Sequence, residues 1–308
     1  MKYNNLKNIL VPLDFSESSL NALETAIVIA RQHSASILLL NVVDTRLMFG
    51  FSGVSYISEK TIERIAKVSA KMLASVVENV KQKHQLTCTA LVKVGLVPLS
   101  IINAAFDNKS DLIVLGTHGV SGFRDLFIGT TAQEVVKIAT CPVLTVPGNR
   151  KWTSFEKILF PVYEIAGTLG KYDLMHKIIG TGYSSLKIVM LAKPQATAGG
   201  ELLSRLANEL WQELSNREIK DPGNLVFCEN DAAAVLKMSL SSQADMVVIG
   251  LSGNTTFKEF FIGPFEQHIV NHASMPVLSL RSALTSPDSQ LVIRQIHESY
   301  PDQIPFAV

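Results

Sequence analysis

Short apolar runs alternate with longer amphipathic segments along the first half of the chain. Five runs have the length and composition of strands buried on both faces: KNILVPL, SILLLNVV, CTALVKV, DLIVLG and PVLTV. The segment after the first run has apolar residues at helical spacing, with Ser16 or Ser18 as its N-cap, and a longer helix is predicted over residues 58–84. Two further helices are predicted to begin near Pro98 and Thr130. Strands that alternate with helices indicate a parallel sheet with right-handed crossovers.

The helix predicted over residues 58–84 also shows which of its faces should meet the sheet. Apolar residues recur along it at spacings of three and four, as on a helix with one buried stripe. We expect this stripe to consist of Ile62, Ile65, Val68, Met72, Leu73 and Val76.

The second half of the chain repeats the first. The segment DLIVLGTHGVSGFRDLFIGTTAQEVVKIATCPVLTVP aligns without a gap with DMVVIGLSGNTTFKEFFIGPFEQHIVNHASMPVLSLR, and KNILVPLDF matches EKILFPVYE. Glycines fall at the same places, with Gly116 opposite Gly250 and Gly129 opposite Gly263. Self-similarity over this length predicts two copies of one domain.

We therefore predict an α/β fold of two tandem, doubly wound, Rossmann-like domains, each with a five-stranded, mainly parallel sheet. The first domain is expected to cover residues 1–150, the second 151–283, and a C-terminal tail 284–308. The join lies at PGNRKWTS, which combines turn residues with charge. In the second copy, helices are expected near residues 171–180, 200–219, 232–241 and 264–272.

Composition places the chain among well-packed proteins of ordinary charge. Of its 308 residues, 47% are hydrophobic and 18% are charged, and the net charge is +1. These values exclude wholesale disorder, and the absence of a long Lys and Arg run argues against nucleic-acid and membrane partners. The N-terminus lacks signal-peptide features and the apolar runs are far shorter than the roughly 20 residues of a spanning helix. We expect a cytoplasmic protein.

Cysteine and histidine residues give no sign of a metal site. Cys88, Cys141 and Cys228 are odd in number and scattered, so we expect buried, reduced thiols. His268 and His272 lie four residues apart on a predicted helix, but no third ligand is evident. We predict that this pair belongs to a solvated helix face.

The glycine-rich stretch GTHGVSGFRDLFIGTT of the first copy follows directly on a predicted strand. Ligands of doubly wound sheets bind beyond the carboxyl ends of the strands, and the stretch lies at that edge. Glycine lets backbone N–H groups approach an anion, and the helix that begins near Thr130 adds donors and a favourable dipole. The stretch is neither a Walker-type P-loop nor a dinucleotide fingerprint. Spacing alone leaves two interpretations, an ordinary turn or a phosphate cradle.

Two strand ends contribute further candidates at the same edge. Asp14 ends the first strand, where its carboxylate can accept from a ribose hydroxyl or an adenine amine. Alternatively, Asp14 and Ser16 serve only to cap the first helix. Val42 and Val43 end the second strand and offer backbone donors and acceptors with an apolar wall for a base. This arrangement favours a nucleotide site.

Taken together, these motifs resemble the universal stress protein family. The resemblance rests on ILVPLDFSESSLNAL, LLLNVVD, VGLVP and the pattern G-x-x-G-x9-G-[ST] from Gly116 to Thr130. It covers residues 1–148 and, more loosely, 155–281. It implies the adenine nucleotide alpha hydrolase-like form of the Rossmann fold, a role in the stress response, and ATP, ADP or AMP as ligand, with Mg²⁺ beside a triphosphate.

The resemblance also assigns roles to single residues of the first copy. The glycine motif and the threonine after it would hold the phosphates and ribose, Asp14 and Val42 would contact the nucleoside, and Pro12 and Thr131 would line the site. The implied set of nucleotide-binding residues is Pro12, Asp14, Val42, Gly116, Gly119, Gly129, Thr130 and Thr131.

The second copy departs from this pattern. Tyr163 stands where the first copy has Asp14, Pro264 stands where it has Thr130, and the VGLVP element is missing. Proline has neither an N–H nor a hydroxyl but is favoured at the first position of a helix. We therefore expect the helix to be kept, part of the anion site to be lost, and ATP to bind in the first copy alone.

Pairing between the copies is a further implication of the resemblance, because domains of this family pair through their last strand. PVLTV and PVLSL would then pair within one chain as a pseudo-dimer, with a homodimer of whole chains as an additional form. The tail contains an apolar segment, Leu291 to Ile296. It could pack across a domain, line an apolar pocket or mediate association.

The sequence leaves several functions open, of which we favour a regulatory module that binds an adenylate and changes its association with partners. Slow ATP hydrolysis ranks lower, because no triad is present and the only nearby bases are His118, Asp125 and Asp14. We identify no catalytic residue. A nucleotide-free interaction scaffold is a third interpretation. A fourth is an apolar-ligand site between the tail and Tyr163, Trp152 or Trp211.

Overall fold

The structure is a computed structural model of the 308-residue chain. It describes residues 5–45, 58–117, 129–148, 151–162, 168–180, 185–192, 226–229, 231–251, 263–281 and 303–306, together with the single positions 208 and 212. Strands and helices alternate through both halves of the described chain.

The first half forms the five predicted strands with a helix after each of the first four. In chain order these are β1 (Asn8–Pro12), α1 (Glu17–His33), β2 (Ser36–Asp44), α2 (Glu59–His84), β3 (Cys88–Gly95), α3 (Val97–Asp107), β4 (Leu112–Gly116), α4 (Thr130–Ile138) and β5 (Val143–Val146). Of the two N-cap candidates for α1, Ser16 fills the role, because its hydroxyl accepts from the Ser19 N–H at 3.2 Å. The helices predicted near Pro98 and Thr130 are confirmed.

The second half repeats this order, and the tail adds one more strand. The elements are β6 (Lys157–Val162), α5 (Thr168–Ile179), β7 (Ser185–Ala192), β8 (Val226–Glu229), α6 (Ala232–Ser241), β9 (Met246–Leu251), α7 (Pro264–His272), β10 (Val277–Arg281) and, in the tail, β11 (Gln303–Phe306). The helix predicted near residues 200–219 lies outside the described residues, apart from two isolated positions. No helix in the described ranges has the length and apolarity to cross a membrane.

All eleven strands join in one sheet with the order β11-β3-β2-β1-β4-β5-β10-β9-β6-β7-β8. Strands within each half are parallel, whereas β5 and β10 pair antiparallel, with Val143 opposite Ser279. The predicted pairing of the two last strands is therefore confirmed, and it fuses the two five-stranded sheets into one. Strand β11 pairs antiparallel with the outer edge of β3, which shows that this part of the tail packs on the first copy.

The order β3-β2-β1-β4-β5 reverses direction between β1 and β4. With right-handed crossovers, this reversal puts α1 and α2 on one face of the sheet and α3 and α4 on the other. Helices α3 and α4 pack against each other, in agreement with this arrangement. The fold is thus the doubly wound α/β architecture that the alternating pattern predicts.

Side chains also hold the two halves together. Arg281, at the end of β10, is only 6% exposed, and its Nη2 donates to the carbonyl of Lys137 near the end of α4 at 2.7 Å. Burial lowers the pKa of the Arg281 guanidinium. Further contacts across the join include His33 Nε2 to the Ile178 carbonyl (2.9 Å), Gln133 Nε2 to Asn271 Oδ1 (2.9 Å) and Lys177 to Asp111 (3.8 Å).

Two of the residues predicted to face the core from α2 do not. Val68 is 52% exposed and Met72 is 44% exposed. The buried stripe lies further around the helix and consists of Ile62, Ala66, Ser69, Leu73 and Val80, whereas Ile65 and Val76 are half-buried. Helix α2 has more apolar residues around its circumference than the sheet covers. Apolar spacing alone therefore predicted a buried face that is rotated relative to the observed one.

The structure describes the side chains of two of the three cysteines. Cys88 is buried and Cys141 half-buried, and both are free thiols. Burial raises the pKa of the Cys88 thiol to about 11, which keeps it protonated at neutral pH. The side chain of Cys228 lies outside the described part of the chain.

Candidate functional site

A cavity of about 330 Å³ opens at the carboxyl ends of β1 and β4, where the strand order reverses. Parallel sheets of this kind bind ligands at that point, because the crossovers on either side diverge and leave a crevice. Seven of the eight predicted site residues line this one cavity: Pro12, Asp14, Val42, Gly116, Gly129, Thr130 and Thr131. The eighth, Gly119, lies outside the described residues, as do His118 and Asp125.

Asp14 stands at the mouth of the cavity and is exposed. Its Oδ1 accepts from the Ser16 N–H at 3.0 Å and from the Ser16 hydroxyl at 2.6 Å. Because Ser16 is the N-cap of α1, one oxygen of Asp14 serves the helix start, as the alternative interpretation predicted. Within the described chain, Oδ2 has no hydrogen-bond partner. A ribose hydroxyl or an amine could donate to that second oxygen.

The N-terminus of α4 is the part of the cavity best suited to an anion. Its N-cap is Gly129, which has no side chain to cap the helix, whereas α1 and α2 are capped by Ser16 and Ser58. Among the described residues, the N–H groups of Thr130 and Thr131 therefore have no acceptor. Two N–H donors, two hydroxyls and the helix dipole are available to a phosphate at this point.

The glycines of the motif contribute differently from expectation. The Gly129 N–H donates to the Thr117 carbonyl at 2.6 Å, so it is not available to an anion. Gly116 packs against the first turn of α1, where a Cβ would come within 2.6 Å of Ser18 Oγ and 2.8 Å of its carbonyl oxygen. In the first copy the packing of β4 against α1 thus requires glycine at position 116, whereas the added Cβ at Gly250 of the second copy would meet the Lys171 side chain instead.

Gly129 has no such structural requirement. Its φ of −60° suits any residue, and the nearest atom to an added Cβ would be the Thr117 carbonyl oxygen at 3.4 Å, an ordinary contact. Among the residues that the structure describes, neither strain nor packing requires glycine here. Within the described part of the chain, the space beside Gly129 would let a ligand lie close to the backbone.

Sequence reasoning missed several residues of the cavity wall. Val97 and Ile101 of α3 supply an apolar wall, and Asn41 of β2 lies beside Val42. The signal for Asn41 was present, because it is the one polar residue within the apolar run SILLLNVV after its first position. Its Nδ2 donates to the Leu13 carbonyl at 2.7 Å.

Comparison with known proteins identifies the family. A family model described as the universal stress protein family matches residues 5–147 and 185–281. The chain belongs to this family. Universal stress protein YxiE of Bacillus subtilis is 29% identical over 143 residues, which are 45% of this chain and 97% of the relative. Universal stress protein MJ0531 of Methanocaldococcus jannaschii is 30% identical over 148 residues, 48% of this chain and 86% of the relative.

A solved structure extends the similarity over both halves. A universal stress protein from Archaeoglobus fulgidus superposes with a TM-score of 0.67 at 16% identity, covering 92% of this chain and 99% of that chain. At this identity the likeness shows the fold. The two curated relatives, by contrast, match about half the length of this universal stress protein.

The second copy of this universal stress protein fills the corresponding positions with its own side chains. The Lys171 side chain crosses Gly250, where an added Cβ would lie 2.7 Å from Nζ. The Glu266 carboxylate contacts the Cβ position of Gly263 and is 5% exposed. Counted on from the matching starts at Lys7 and Glu156, Lys171 stands opposite Ala22, and in the gapless repeat Glu266 stands opposite Ala132. Both alanines are small and buried. Tyr163 lies outside the described residues.

Two other candidates from the sequence lie elsewhere. His268 and His272 stack with ring centroids 4.2 Å apart, and His272 Nδ1 contacts the His268 carbonyl at 2.9 Å. The described residues contain no group of three potential metal ligands. Trp152 is buried beside a second cavity of about 570 Å³. This cavity lies at the amino-terminal edge of the sheet in the second copy, and its lining is largely polar. Tyr163 and Trp211, the other proposed apolar-ligand contacts, lie outside the described residues.

Proposed function

We propose that this universal stress protein binds ATP, or a related adenylate, in its first copy and acts as a regulatory module. The observation that carries the proposal is the uncapped N-terminus of α4. Thr130 and Thr131, whose N–H groups have no acceptor among the described residues, line the same cavity as Asp14 and Val42. Anion donors and a carboxylate therefore line one crevice, as a nucleotide requires.

Each part of the cavity matches one part of a nucleotide. The phosphates fit the donors of Thr130 and Thr131, and the ribose hydroxyls fit the second oxygen of Asp14. The base fits between the Val42 peptide and the apolar wall of Val97 and Ile101. The family resemblance assigns the same residues to the same parts, and Pro12, Gly116, Gly119 and Gly129 complete the proposed set.

Mg²⁺ would enter this site together with a triphosphate. The two carboxylates that line the cavity, Asp14 and Asp44, lie at the ends of β1 and β2 on the nucleoside side of the proposed site, so they are not assigned as ligands of an ion beside the phosphates. Since the described chain has no cluster of three potential ligands, phosphate oxygens and water would supply the coordination.

The second copy is proposed to hold the fold without nucleotide. Pro264 lacks the N–H and the hydroxyl of Thr130, and Glu266 places a negative charge at the start of α7. A phosphate there would meet the Glu266 carboxylate, which has the same sign of charge, and the Lys171 and Glu266 side chains occupy the space beside the two glycines of the second-copy motif. We propose domains at residues 1–150 and 151–283, joined as a pseudo-dimer through β5 and β10.

Release of bound ligand tests the proposal. The protein is purified without added nucleotide and denatured, and the supernatant is analysed by anion-exchange chromatography. We expect ATP, ADP or AMP, and a gain in thermal stability with Mg-ATP of about 2.7 kcal/mol at a ligand concentration 100-fold above the dissociation constant. Absence of both adenylate and thermal gain would favour the nucleotide-free scaffold. Phosphate release from Mg-ATP, measured on the same sample, separates a binding module from a slow ATPase.

A further inference from the structure

The hydrogen-bond ladder between β1 and β2 ends one residue earlier than the matching ladder between β6 and β7. Its last paired residues are Pro12 and Leu40, and the Leu13 N–H still donates to the Leu40 carbonyl at 2.8 Å. In a parallel ladder the next hydrogen bond would run from the Val42 N–H to the Leu13 carbonyl. No such backbone bond is present between these described residues.

The side chain of Asn41 takes the place of that bond. Its Nδ2 donates to the Leu13 carbonyl at 2.7 Å, and Asn41 is only 9% exposed. The Leu13 carbonyl is therefore satisfied by a side chain, and the Val42 N–H and C=O, which point towards β1, remain at the cavity. A buried amide in an apolar strand costs free energy unless it is hydrogen-bonded, so its position is well defined by this contact.

The second copy supplies an internal control. Met190 occupies the position of Asn41, and Val162 occupies the position of Leu13. There the ladder continues one residue further, because Val162 pairs with Met190 as part of β6 and β7. The ladder is thus one residue shorter in the first copy, which has Asn41, than in the second copy, which has Met190 at the same position.

We propose that Asn41 is a positioning residue for the base of the nucleotide. By taking the Leu13 carbonyl, it keeps the N–H and C=O of Val42 available to the edge of the base. An adjacent donor and acceptor match the N1 acceptor and the 6-amino donor of adenine. The inference rests on the proposed function, and it adds a residue that acts on the ligand through the Val42 peptide.

The test replaces Asn41 by the residue of the second copy, Asn41→Met. We expect the Val42 N–H to bond to the Leu13 carbonyl and the affinity for Mg-ATP to fall by about tenfold or more, as expected from one or two lost hydrogen bonds. Binding of inorganic tripolyphosphate, which has no base, should be unchanged. Hydrogen exchange reports the mechanism directly, since the Val42 amide should be protected by ATP in the wild type and protected without ATP in the variant.

A second variant, Asn41→Leu, keeps the approximate shape of the side chain, has no donor and adds no charge, and it gives the same test if the methionine variant does not fold. Equal losses of ATP and tripolyphosphate affinity, or ATP affinity unchanged in both variants, would overturn the role of Asn41. If the wild type binds neither ATP nor tripolyphosphate, the proposed function itself fails, and the ligand role of Asn41 fails with it.

Discussion

Thr130→Pro gives the first copy the residue that the second copy has at the same place. The fold should tolerate the change, because proline is favoured at the first position of a helix and the Thr130 N–H makes no hydrogen bond within the described chain. Gly129 has ψ 147°, within the range that a residue before proline adopts, and Gly263 before Pro264 has ψ 157°. We expect the free energy of unfolding without nucleotide to change by less than about 1 kcal/mol.

Nucleotide affinity should respond strongly to the same change. Thr130→Pro removes an N–H and a hydroxyl, and hydrogen bonds to charged groups contribute about 1.5–3 kcal/mol each. Loss of both predicts a dissociation constant for Mg-ATP that is higher by about a hundredfold or more. Thr130→Val, which keeps the N–H and loses only the hydroxyl, should show a smaller increase of about tenfold.

Isothermal titration with Mg-ATP measures the affinities, and thermal unfolding without ligand measures the folding. Pro264→Thr is the matched control in the second copy. It should leave ATP binding in the first copy unchanged and create no second site, because Lys171 and Glu266 still fill that position. A folded Thr130→Pro variant that binds ATP within about threefold of the wild type would refute the assignment of the phosphate site to the start of α4.

Three further predictions concern stability and reactivity. Gly116→Ala should lower the free energy of unfolding by about 1–3 kcal/mol in urea titration, because the new Cβ meets the backbone of α1, and an unchanged midpoint would contradict the packing reason for this glycine. Arg281→Met should cost about 1–3 kcal/mol in the same assay, since it leaves the Lys137 carbonyl without its buried donor, and the Lys177→Met surface variant should cost less than about 1 kcal/mol. Cys88 has a pKa raised from 9.0 to about 11 by burial, so its contribution to stability is complete below pH 9 and is lost as the pH rises through 11. Unfolding followed across this range should show a decline that Cys88→Ala reduces, and native Cys88 should react with iodoacetamide far more slowly than the unfolded chain.

Periodicity and the internal repeat were sufficient to predict most of the fold. Apolar runs and amphipathic segments in alternation indicate the strands, helices and crossovers, since the periods of strand and helix are set by backbone geometry. The pairing of β5 with β10 followed from the family resemblance and is confirmed. The pairing of β11 with β3 was not predicted, because the sequence of a short strand carries no information about which sheet edge it meets. The apolar tail segment Leu291 to Ile296 lies outside the described residues.

The site was predicted as a set of residues but not as a set of contacts. Topology brings strand ends and the start of α4 to one edge, so Asp14, Val42 and Thr130 could be placed together from the sequence. The use of the Gly129 N–H by Thr117 and the close approach of Ser18 to Gly116 depend on atomic packing, which spacing does not report. The contacts of Lys171 with Gly250 and of Glu266 with Gly263 also depend on side-chain packing, so they were not predicted from the sequence.

The stoichiometry of nucleotide binding tests the central claim most directly. Isothermal titration of the nucleotide-free wild-type chain with Mg-ATP should give one site per chain, and that site should weaken in Thr130→Pro but not in Pro264→Thr. Two equivalent sites per chain, or one site that Thr130→Pro leaves intact, would contradict the assignment of the nucleotide to the first copy alone.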